Sequence, residues 1–374
     1  MINKYSNTHD IKHKILLRVA ELTFEGTLEE KRDELPYQFI PGHKPSFRCC
    51  VYREREIIRQ RVRLAEGKFP IEGKENNSLI QVIDSACAGC PIQRFAVSDN
   101  CQQCVNKSCM NTCPFGAISP GKHQAYIDPD KCRECGKCVQ ACPYNAIIDR
   151  QRPCKKSCPT NAISMDEHNI VVVNEDKCIH CGECIRTCPF GALSARSYIV
   201  PIINAIKEKK PIFAMVAPAV DGQFGPDITM SDLRDSLVKL GFTDMYEVAL
   251  GADFTAKAEA EEWLEAYEEG KKMTTSCCPA FVSMVKKQFP QLIDNISTTV
   301  SPMVATSRFI KKLYPEAITV FVGPCIAKKS EVFHEDIEGN ADFAISFREL
   351  VAILEARDID VVASGAKSQQ GSLL

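Results

Sequence analysis

The chain has 374 residues, of which 45% are hydrophobic and 25% charged, and its formal net charge is −2. This is the composition of an ordinary globular protein of two or three domains, and a net charge near zero gives no support to a nucleic-acid partner. Because the first 14 residues lack the apolar core of a signal peptide and no run approaches the roughly 18 apolar residues of a membrane span, the sequence predicts a cytoplasmic protein without a membrane partner.

Cysteine is the exception in this composition, with 21 residues. Disulfide-rich scaffolds are usually short secreted chains, whereas this chain is long and its number of cysteines is odd. Metal binding in a reducing compartment is therefore the interpretation that the composition favours.

Residues 1–85 are predicted to form an N-terminal helical segment. Helices are expected over Ile11–Glu29 and Val51–Glu66, and the second is rich in Arg and Glu, which is typical of a solvated amphipathic helix. Cys49 and Cys50 stand at its start. Two adjacent thiols are poorly placed to chelate one metal cluster, so a packing or incidental role is expected for this pair.

Residues 86–198 are dense in cysteine and contain a repeated unit. A Cys-Pro pair is followed by one variable residue, then Gly or Asn, then Ala, and this turn occurs four times, at Cys113, Cys142, Cys158 and Cys188. Four copies predict two duplicated two-cluster modules. The fold class expected for this segment is an α+β, ferredoxin-like duplicated cluster domain.

The spacing of these cysteines matches the motif of 4Fe-4S clusters. In that motif a C-x2-C-x2-C loop gives three thiolates to one cubane, and a Cys before Pro ligates the other cluster of the pair. Two segments fit directly and a third fits with a longer gap, whereas zinc sites and free thiols do not produce repeated C-x3-C-P endings. The twelve predicted ligands are Cys101, Cys104, Cys109, Cys113, Cys132, Cys135, Cys138, Cys142, Cys178, Cys181, Cys184 and Cys188.

A fourth cluster is predicted from the remaining cysteines. Cys154 and Cys158 are the second half of a motif, and its leading pair is displaced upstream to Cys87 and Cys90. The alternative is that this upstream pair is free and the segment holds three clusters. With the crossover of two-cluster ferredoxins, the four ligand sets are Cys101, Cys104, Cys109 and Cys142; Cys113, Cys132, Cys135 and Cys138; Cys158, Cys178, Cys181 and Cys184; and Cys87, Cys90, Cys154 and Cys188.

Residues 199–374 change character and hold three of the cysteines. Strands and helices are predicted to alternate, which is typical of an α/β domain with a largely parallel sheet. Neither a Walker-type nor a dinucleotide glycine fingerprint occurs. The predicted strands are Pro211–Ala217, Met245–Leu250, Ile318–Val322 and Asp358–Val362, and the predicted helices are Ser231–Leu240, Phe254–Glu269 and Phe347–Ala356.

Three motifs in this part, together with the cysteine array, resemble the iron-only (FeFe) hydrogenases. They are A-P-A-V at residues 217–220, T-S-C-C-P at 275–279 and P-C-x-x-K-x-x-E at 324–331. The resemblance covers about residues 86–360 and is strongest to the monomeric, ferredoxin-linked branches. It implies a partial α/β hydrogenase catalytic domain, protons and hydrogen as substrates, and a ferredoxin or similar small redox protein as the partner.

The resemblance also implies which residues hold the catalytic H-cluster, which consists of a cubane and a diiron unit. Cys278 and Cys325 would ligate the cubane. Cys277 would be the terminal proton-relay thiol beside the diiron unit, and Lys328 would contact a cyanide ligand of that unit. The residues implied to bind the cofactor are Ala217, Pro218, Pro324 and Lys328.

A proton relay is implied in the same way. The family has two glutamates on the helix after an A-D-x-T stretch, and Glu259 and Glu262 follow that stretch at residues 252–255 here. Because they are three residues apart, they share one face of the helix. Ser297 matches the serine that lies between them in the family. Without the neighbouring motifs, each glutamate would be read as a solvated surface charge.

The chain departs from the family in three places. The third signature, a glycine-rich stretch with two further cysteines, is not matched, so the chain is expected to be truncated or frameshifted near residue 363 and to offer two of the four cubane ligands. Gly323 stands where the family usually has Met, and Met303 where it usually has Gln.

Three functions remain open: a hydrogenase, a non-catalytic redox sensor or electron-transfer protein, and an iron–sulfur assembly protein. The T-S-C-C-P motif and the glutamate pair favour the first, and the missing signature favours the second.

Overall fold

The computed structural model describes residues 6–73, 75–76, 78–334 and 337–361. Its N-terminal part is a layer of helices, α1 (Thr8–Glu25), α2 (Leu28–Lys31), α3 (Leu35–Phe39) and α4 (Val51–Ala65). Helix α1 begins where the Asn7 side chain accepts hydrogen bonds from N–H groups of the first turn, and it ends at Gly26, whose φ of 79° is left-handed. The helix predicted over Ile11–Glu29 therefore starts and ends earlier.

Helix α4 is not the solvated helix that its charged residues predicted. Glu54 is 0% and Arg61 6% exposed. The Glu54 carboxylate accepts hydrogen bonds from the N–H groups of Ser46 at 2.7 Å and Arg48 at 2.6 Å. Arg61 donates to the Gly191 carbonyl at 2.9 Å. Both charges are thus buried against backbone groups, which is how a polar helix can lie inside a protein.

The cysteine-rich segment folds as short antiparallel ribbons joined by single-turn helices. Its strands are β1 (Ile80–Val82), β2 (Phe95–Val97), β3 (Ile118–Pro120), β4 (Ala125–Ile127), β5 (Ile147–Asp149), β6 (Ile163–Met165), β7 (Val171–Val173) and β8 (Leu193–Ala195). Its helices are α5 (Asp84–Cys87), α6 (Ser108–Asn111), α7 (Lys137–Ala141), α8 (Pro153–Ser157) and α9 (Glu183–Thr187). The ribbons are β2–β5 and β3–β4, then β1–β8 and β6–β7.

The last part of the chain forms a four-stranded parallel sheet of order β10-β9-β11-β12 with helices packed on it. The strands are β9 (Ile212–Val216), β10 (Asp244–Glu247), β11 (Ile318–Val322) and β12 (Phe343–Ile345). The helices are α10 (Ile199–Lys207), α11 (Met230–Leu240), α12 (Val248–Glu268), α13 (Pro279–Gln288), α14 (Pro302–Leu313), α15 (Ile326–Glu331) and α16 (Phe347–Glu355). The mixed helix and strand content agrees with the predicted α/β class.

Two predicted strands are corrected by the sheet. The strand predicted over Met245–Leu250 ends at Glu247, and its last apolar residues open helix α12 instead. The strand predicted over Asp358–Val362 is wrong for its described residues 358–361, which have a turn at 358 and no regular secondary structure after it. The fourth strand is β12, which pairs with β11. Residues 362–374 lie outside the described residues, so the expectation for the chain from residue 363 stays a prediction.

One hydrophobic core joins the N-terminal helices to the sheet. Buried side chains of α1, α4, α10 and α16 belong to it together with those of β9, for example Ile15, Val62, Ile202, Leu350 and Val216. Strand β1 precedes residue 86, the predicted start of the cluster domain, and pairs with β8 at the end of that domain. The domain boundaries at residues 85 and 198 stay a prediction. In the described part of the chain, no helix has the length and apolar character that crossing a membrane requires.

Candidate metal centres

Six of the eight cysteines of the first two ligand sets belong to one apolar cluster with the ribbons β2–β5 and β3–β4; they are Cys101, Cys109, Cys113, Cys132, Cys138 and Cys142. Cys113, Cys132, Cys135 and Cys138 line a single small cavity there. Cys109 lies beside Cys142 and Cys104: burial first, and then the charges of these two thiols, raise its pKa. The cavity thus brings Cys113 to the three cysteines of the other loop, and Cys142 lies near Cys104 and Cys109, as the crossover predicts.

In the third set Cys178 and Cys184 are buried and Cys181 is exposed. Cys158, Cys178, Cys181 and Cys184 line a cavity beneath β1 and β7. Burial raises the pKa of Cys178 to about 11. Burial, together with Cys178, Cys181 and Cys158, raises the pKa of Cys184 to about 12. The four cysteines of the third set thus line one small cavity.

The displaced pair Cys87 and Cys90 lies with the two cysteines predicted to complete its set. Burial, and then the charges of Cys188, Cys90 and Cys87, raise the pKa of Cys154 to about 11. The Cys87 thiol accepts a hydrogen bond from the Val171 N–H at 3.5 Å. The four cysteines of this set therefore come together although they are spread over 102 residues of sequence, Cys87 to Cys188.

The repeated turn has one conformation in all four copies. The third residue after each cysteine has a left-handed φ, between 50° and 58°. Only Gly and Asn adopt this region at little cost, which explains their alternation in the sequence. The N–H of the Ala that follows donates to the cysteine Sγ at 3.2–3.4 Å. The left-handed residues are Gly116, Asn145, Asn161 and Gly191.

These groups fit the chemistry of a 4Fe-4S cluster. Thiols with raised pKa values are protonated and neutral at physiological pH, and bound iron takes the place of their protons. Backbone N–H groups that point at the sulfur atoms stabilise the negative charge of the ligated thiolates. The donor set of each centre is four sulfurs with aligned N–H groups, which suits a cubane.

The residues of the two hydrogenase-like signatures meet at the start of two neighbouring helices. Cys278 directly precedes α13 and Cys325 directly precedes α15. Lys328 joins the two segments: its Nζ lies 3.5 Å from the Cys277 carbonyl and donates to Glu331 Oε2 at 2.7 Å. Lys328 is 8% exposed. The ammonium group is therefore held at the junction of both motifs.

The remaining predicted cofactor-binding residues lie at one edge of the sheet. Ala217 and Pro218 follow β9, and Pro324 follows β11, at the carboxyl ends of two paired parallel strands. The Ala217 N–H donates to the Val322 carbonyl at 2.9 Å. Ligands of open parallel sheets bind at this edge.

The two glutamates of the predicted relay are held by different partners. Glu262 accepts hydrogen bonds from Ser297 Oγ at 2.5 Å, from the Thr298 N–H at 2.8 Å and from Thr299 Oγ1 at 3.3 Å. Burial raises the pKa of Glu262, but these hydrogen bonds outweigh it and hold the pKa below its usual value. Ser297, predicted to lie between the two glutamates, thus contacts Glu262.

Glu259 is reached through a residue that the sequence reasoning missed. Its Oε1 accepts hydrogen bonds from the Ser276 N–H at 2.8 Å and from Ser276 Oγ at 3.2 Å. Ser276 Oγ also donates to the Thr299 carbonyl. Ser297 therefore contacts one glutamate, and Ser276 and Thr299 connect the other to the same loop. Ser276 stands inside the T-S-C-C-P motif, which is the signal that could have found it.

The third thiol set lies against the helices that carry the signatures. Lys287 of α13 donates to the carbonyls of Glu175 at 2.6 Å and Cys178 at 2.7 Å. His180 Nδ1 is hydrogen-bonded to Ser330 Oγ of α15 at 2.9 Å. A Cβ placed on Gly182 would lie 2.8 Å from the Ile326 side chain. The loop of Cys178–Cys181 is thus packed beside the residue that follows Cys325.

The pair Cys49 and Cys50 does not join any of these sets. Both side chains are exposed, so a packing role is wrong and an incidental one remains. Arg53 Nη1 lies 3.6 Å from Cys49 Sγ, and this hydrogen bond lowers the pKa of Cys49.

Comparison with known families agrees with this division of the chain. Residues 210–372 match the C-terminal domain of the iron-only hydrogenase large subunit. Residues 125–148 match a 4Fe-4S binding domain, and residues 148–199 match the LdpA Fe-S cluster-binding domain.

Curated relatives fall into the same two groups. The chain is 33% identical over 261 residues to iron hydrogenase 1 of Clostridium pasteurianum, which is 64% of this chain and 44% of that protein. It is 32% identical over 272 residues to the periplasmic Fe hydrogenase large subunit of Nitratidesulfovibrio vulgaris, 66% of this chain and 61% of that protein. A ferredoxin of Alicyclobacillus acidocaldarius is 40% identical over 57 residues, 15% of this chain and 73% of the ferredoxin. The chain thus spans about half the length of these hydrogenases.

Proposed function

Because this chain belongs to the iron-only hydrogenase family and carries 4Fe-4S ferredoxin motifs ahead of its hydrogenase domain, we propose that it passes electrons between a small redox protein and a hydrogenase-type site. The proposed reaction is the reversible reduction of two protons by two electrons to one hydrogen molecule. The observation that supports it most is the packing of the third thiol set against α15, the helix that begins after Cys325.

The cysteine array is the proposed electron path. When bound, 4Fe-4S clusters accept and donate single electrons. The chain would hold four of them in sequence, from the sets around β2–β5 to the set beside Cys325. Cys135 is exposed, which brings the set of Cys113, Cys132, Cys135 and Cys138 near the surface. A ferredoxin or similar small redox protein is the proposed partner at that end.

The two glutamates are the proposed proton path. The hydroxyls of Ser297 and Thr299 lie within 3.3 Å of the Glu262 carboxylate. The Glu259 carboxylate is hydrogen-bonded to Ser276, the residue that precedes Cys277 in the sequence. Proton transfer requires groups within hydrogen-bond reach of each other. The Cys277 thiol is the proposed last proton carrier, and the Thr275 hydroxyl lies 3.5 Å from its Sγ.

Two cysteines of the described residues are proposed as ligands of the catalytic iron cluster. Cys278 and Cys325 would each give a thiolate at the start of a helix, where the helix dipole favours negative charge. When bound, that cluster supplies the site at which protons and electrons combine. Lys328 would place its ammonium group toward the anionic ligands of the diiron unit, fixed by its contacts to Cys277 and Glu331.

The test is hydrogen evolution by the chain after anaerobic reconstitution with iron, sulfide and a diiron precursor. Reduced methyl viologen supplies the electrons and gas chromatography measures hydrogen. The assay uses the complete gene product, because Cys278 and Cys325 are only two of the four cubane ligands that the resemblance implies. This protein and its control Cys49→Ser should evolve hydrogen, because Cys49 is exposed and outside the sets. Cys325→Ser should lose turnover while the clusters of the array remain. Iron-loaded, reducible protein that evolves no hydrogen would contradict the catalytic half of the proposal.

A non-catalytic redox sensor or electron-transfer protein is the second candidate. The observation that favours it is the surroundings of Gly323, where the family usually has Met. A Cβ on Gly323 would lie 2.7 Å from the Phe321 ring and 3.0 Å from the Ala217 Cβ, so a Met side chain has no room without movement of Phe321. Met303, where the family usually has Gln, is 0% exposed. Reversible reduction of the clusters without hydrogen turnover is the result that would support this candidate.

A further inference from the structure

A cavity of about 150 Å³ lies among α1, α4, α9 and α16, outside the four thiol sets. Its walls combine apolar side chains with an unusual number of cationic ones. Leu64, Ile185 and Ile326 are among the apolar side chains that line it. The charged and titratable residues that line it are Lys12, His13, Arg61, Lys329, Arg348 and Glu349.

The positive charges of this cavity are not balanced by its carboxylates. Lys329 is paired with Glu349 at 2.7 Å, and His13 is hydrogen-bonded to Glu355 at 2.8 Å. Among the described residues, no carboxylate lies within ion-pair distance of Lys12, Arg61 or Arg348. Three cationic side chains therefore line the cavity without a carboxylate partner, although Arg348 Nη1 donates to His9 Nδ1 and Arg61 lies near Cys188.

Arg61 is the most buried of the three. It is 6% exposed, and its Nη2 donates to the carbonyls of Gly191 at 2.9 Å and Phe190 at 3.2 Å. Its Nε and Nη1 are buried and, in the described part of the chain, have no hydrogen-bond partner. Buried polar groups of folded proteins are normally hydrogen-bonded. Two donors of one guanidinium are thus left for a group that the chain itself does not supply.

The electrostatics of the cavity favour an anion. Burial lowers the pKa of Arg61 to about 10. Burial, and then the charge of Arg61, lowers the pKa of Lys12 to about 8; Arg348 and Lys329 add to this and Glu349 opposes it. Burial and the neighbouring cations therefore disfavour the charged form of Lys12, whereas burial disfavours that of Arg61 and the charge of Cys188 opposes this effect. An anion between them would remove that repulsion and accept the unused hydrogen bonds.

We propose that this cavity binds a small organic phosphate ester, with the phosphate between Lys12, Arg61 and Arg348 and the organic part against the apolar wall. The planar guanidinium of arginine matches the geometry of phosphate oxygens, and lysine adds a point charge. The apolar side chains Leu64, Ile185 and Ile326 give a short carbon skeleton a surface to contact. The volume admits a molecule of this size rather than a nucleic acid or a peptide.

Calorimetric titration of the cluster-loaded chain tests this site. Glycerol 3-phosphate, inorganic phosphate and succinate are titrated separately at constant ionic strength set with chloride. Glycerol 3-phosphate should bind saturably at one site and more tightly than the other two anions. Lys12→Met should weaken this binding at least about tenfold, because it removes a charge-assisted hydrogen bond. Lys239→Met, a change of an exposed lysine on α11, should leave it unchanged.

Each other outcome overturns part of the proposal. Absence of saturable binding by glycerol 3-phosphate overturns the site. Equal binding of inorganic phosphate overturns the role of the apolar wall, and tighter binding of succinate overturns the assignment to phosphate. An equal loss in Lys239→Met would mean that binding follows net charge alone. If Lys12→Met does not fold, Arg348→Gln replaces it, because Arg348 is exposed at the rim and its loss leaves the core intact.

Discussion

Replacement of Glu259 by Gln separates the proton path from the stability of the fold. Ser276 donates both its N–H and its hydroxyl to Glu259 Oε1, at 2.8 Å and 3.2 Å. A glutamine Oε1 can accept both hydrogen bonds, so the cost in stability should be about 1 kcal/mol. An amide cannot carry the proton. Positioned acid–base groups typically contribute about 10²–10⁴-fold to rate, so hydrogen turnover should fall by that factor.

The assay compares hydrogen evolution with iron content in the same preparations. Glu259→Gln should retain the iron of the unmodified chain and lose turnover. The matched control is Glu261→Gln, because Glu261 lies on the same helix but is exposed. Retained turnover in Glu259→Gln would refute the relay. Loss of iron together with turnover would show that Glu259 supports the structure of the site instead.

Two further predictions concern the contacts that position the site. Hydrogen bonds hold the pKa of the Glu262 carboxyl group below its usual value. The ionised carboxylate therefore stabilises the fold above about pH 4.5, and this stabilisation is lost as the pH falls through the lowered pKa. Thermal unfolding between pH 3 and 6 should show this loss in the unmodified chain and not in Glu262→Gln. Lys329→Met should destabilise the chain by about 3–5 kcal/mol in denaturant unfolding because it leaves Glu349 buried and unpaired. A second change, Glu349→Leu, should restore most of that stability; a single variant as stable as the unmodified chain would contradict the reasoning.

The 4Fe-4S motifs were accessible from sequence because cluster geometry constrains the local spacing of the cysteines. A C-x2-C-x2-C loop can place its three thiols around one centre only in a narrow set of conformations, and these recur as left-handed residues at Glu134, Gly136, His180 and Gly182. The buried strands β9 and β11 were equally accessible, since β9 is a continuous apolar run and β11 is one interrupted only by Thr319. Each of these features depends on the residues of one short segment, so it can be predicted from that segment alone.

The features that were missed depend on contacts between distant segments. Glu54 and Arg61 read as surface charges, but backbone groups of residues 46–48 and 190–191 satisfy them inside the protein. Ser276 contacts Glu259, and Thr299 contacts Ser276, only because the loops before α13 and α14 pack beside α12. Strand β12 has three residues, too few for a periodic signal.

The proposed electron path through four 4Fe-4S clusters is tested most directly by replacing Cys87 and Cys90 and measuring how much bound iron is lost. The double variant Cys87→Ser/Cys90→Ser is compared with the control Cys49→Ser/Cys50→Ser after anaerobic reconstitution and iron quantitation. Because Cys154 and Cys188 lie beside Cys87 and Cys90, the first variant should lose about four iron atoms per chain, the content of one cubane, and the control should lose none. Equal iron in both variants would contradict the fourth cluster and leave Cys87 and Cys90 a free pair.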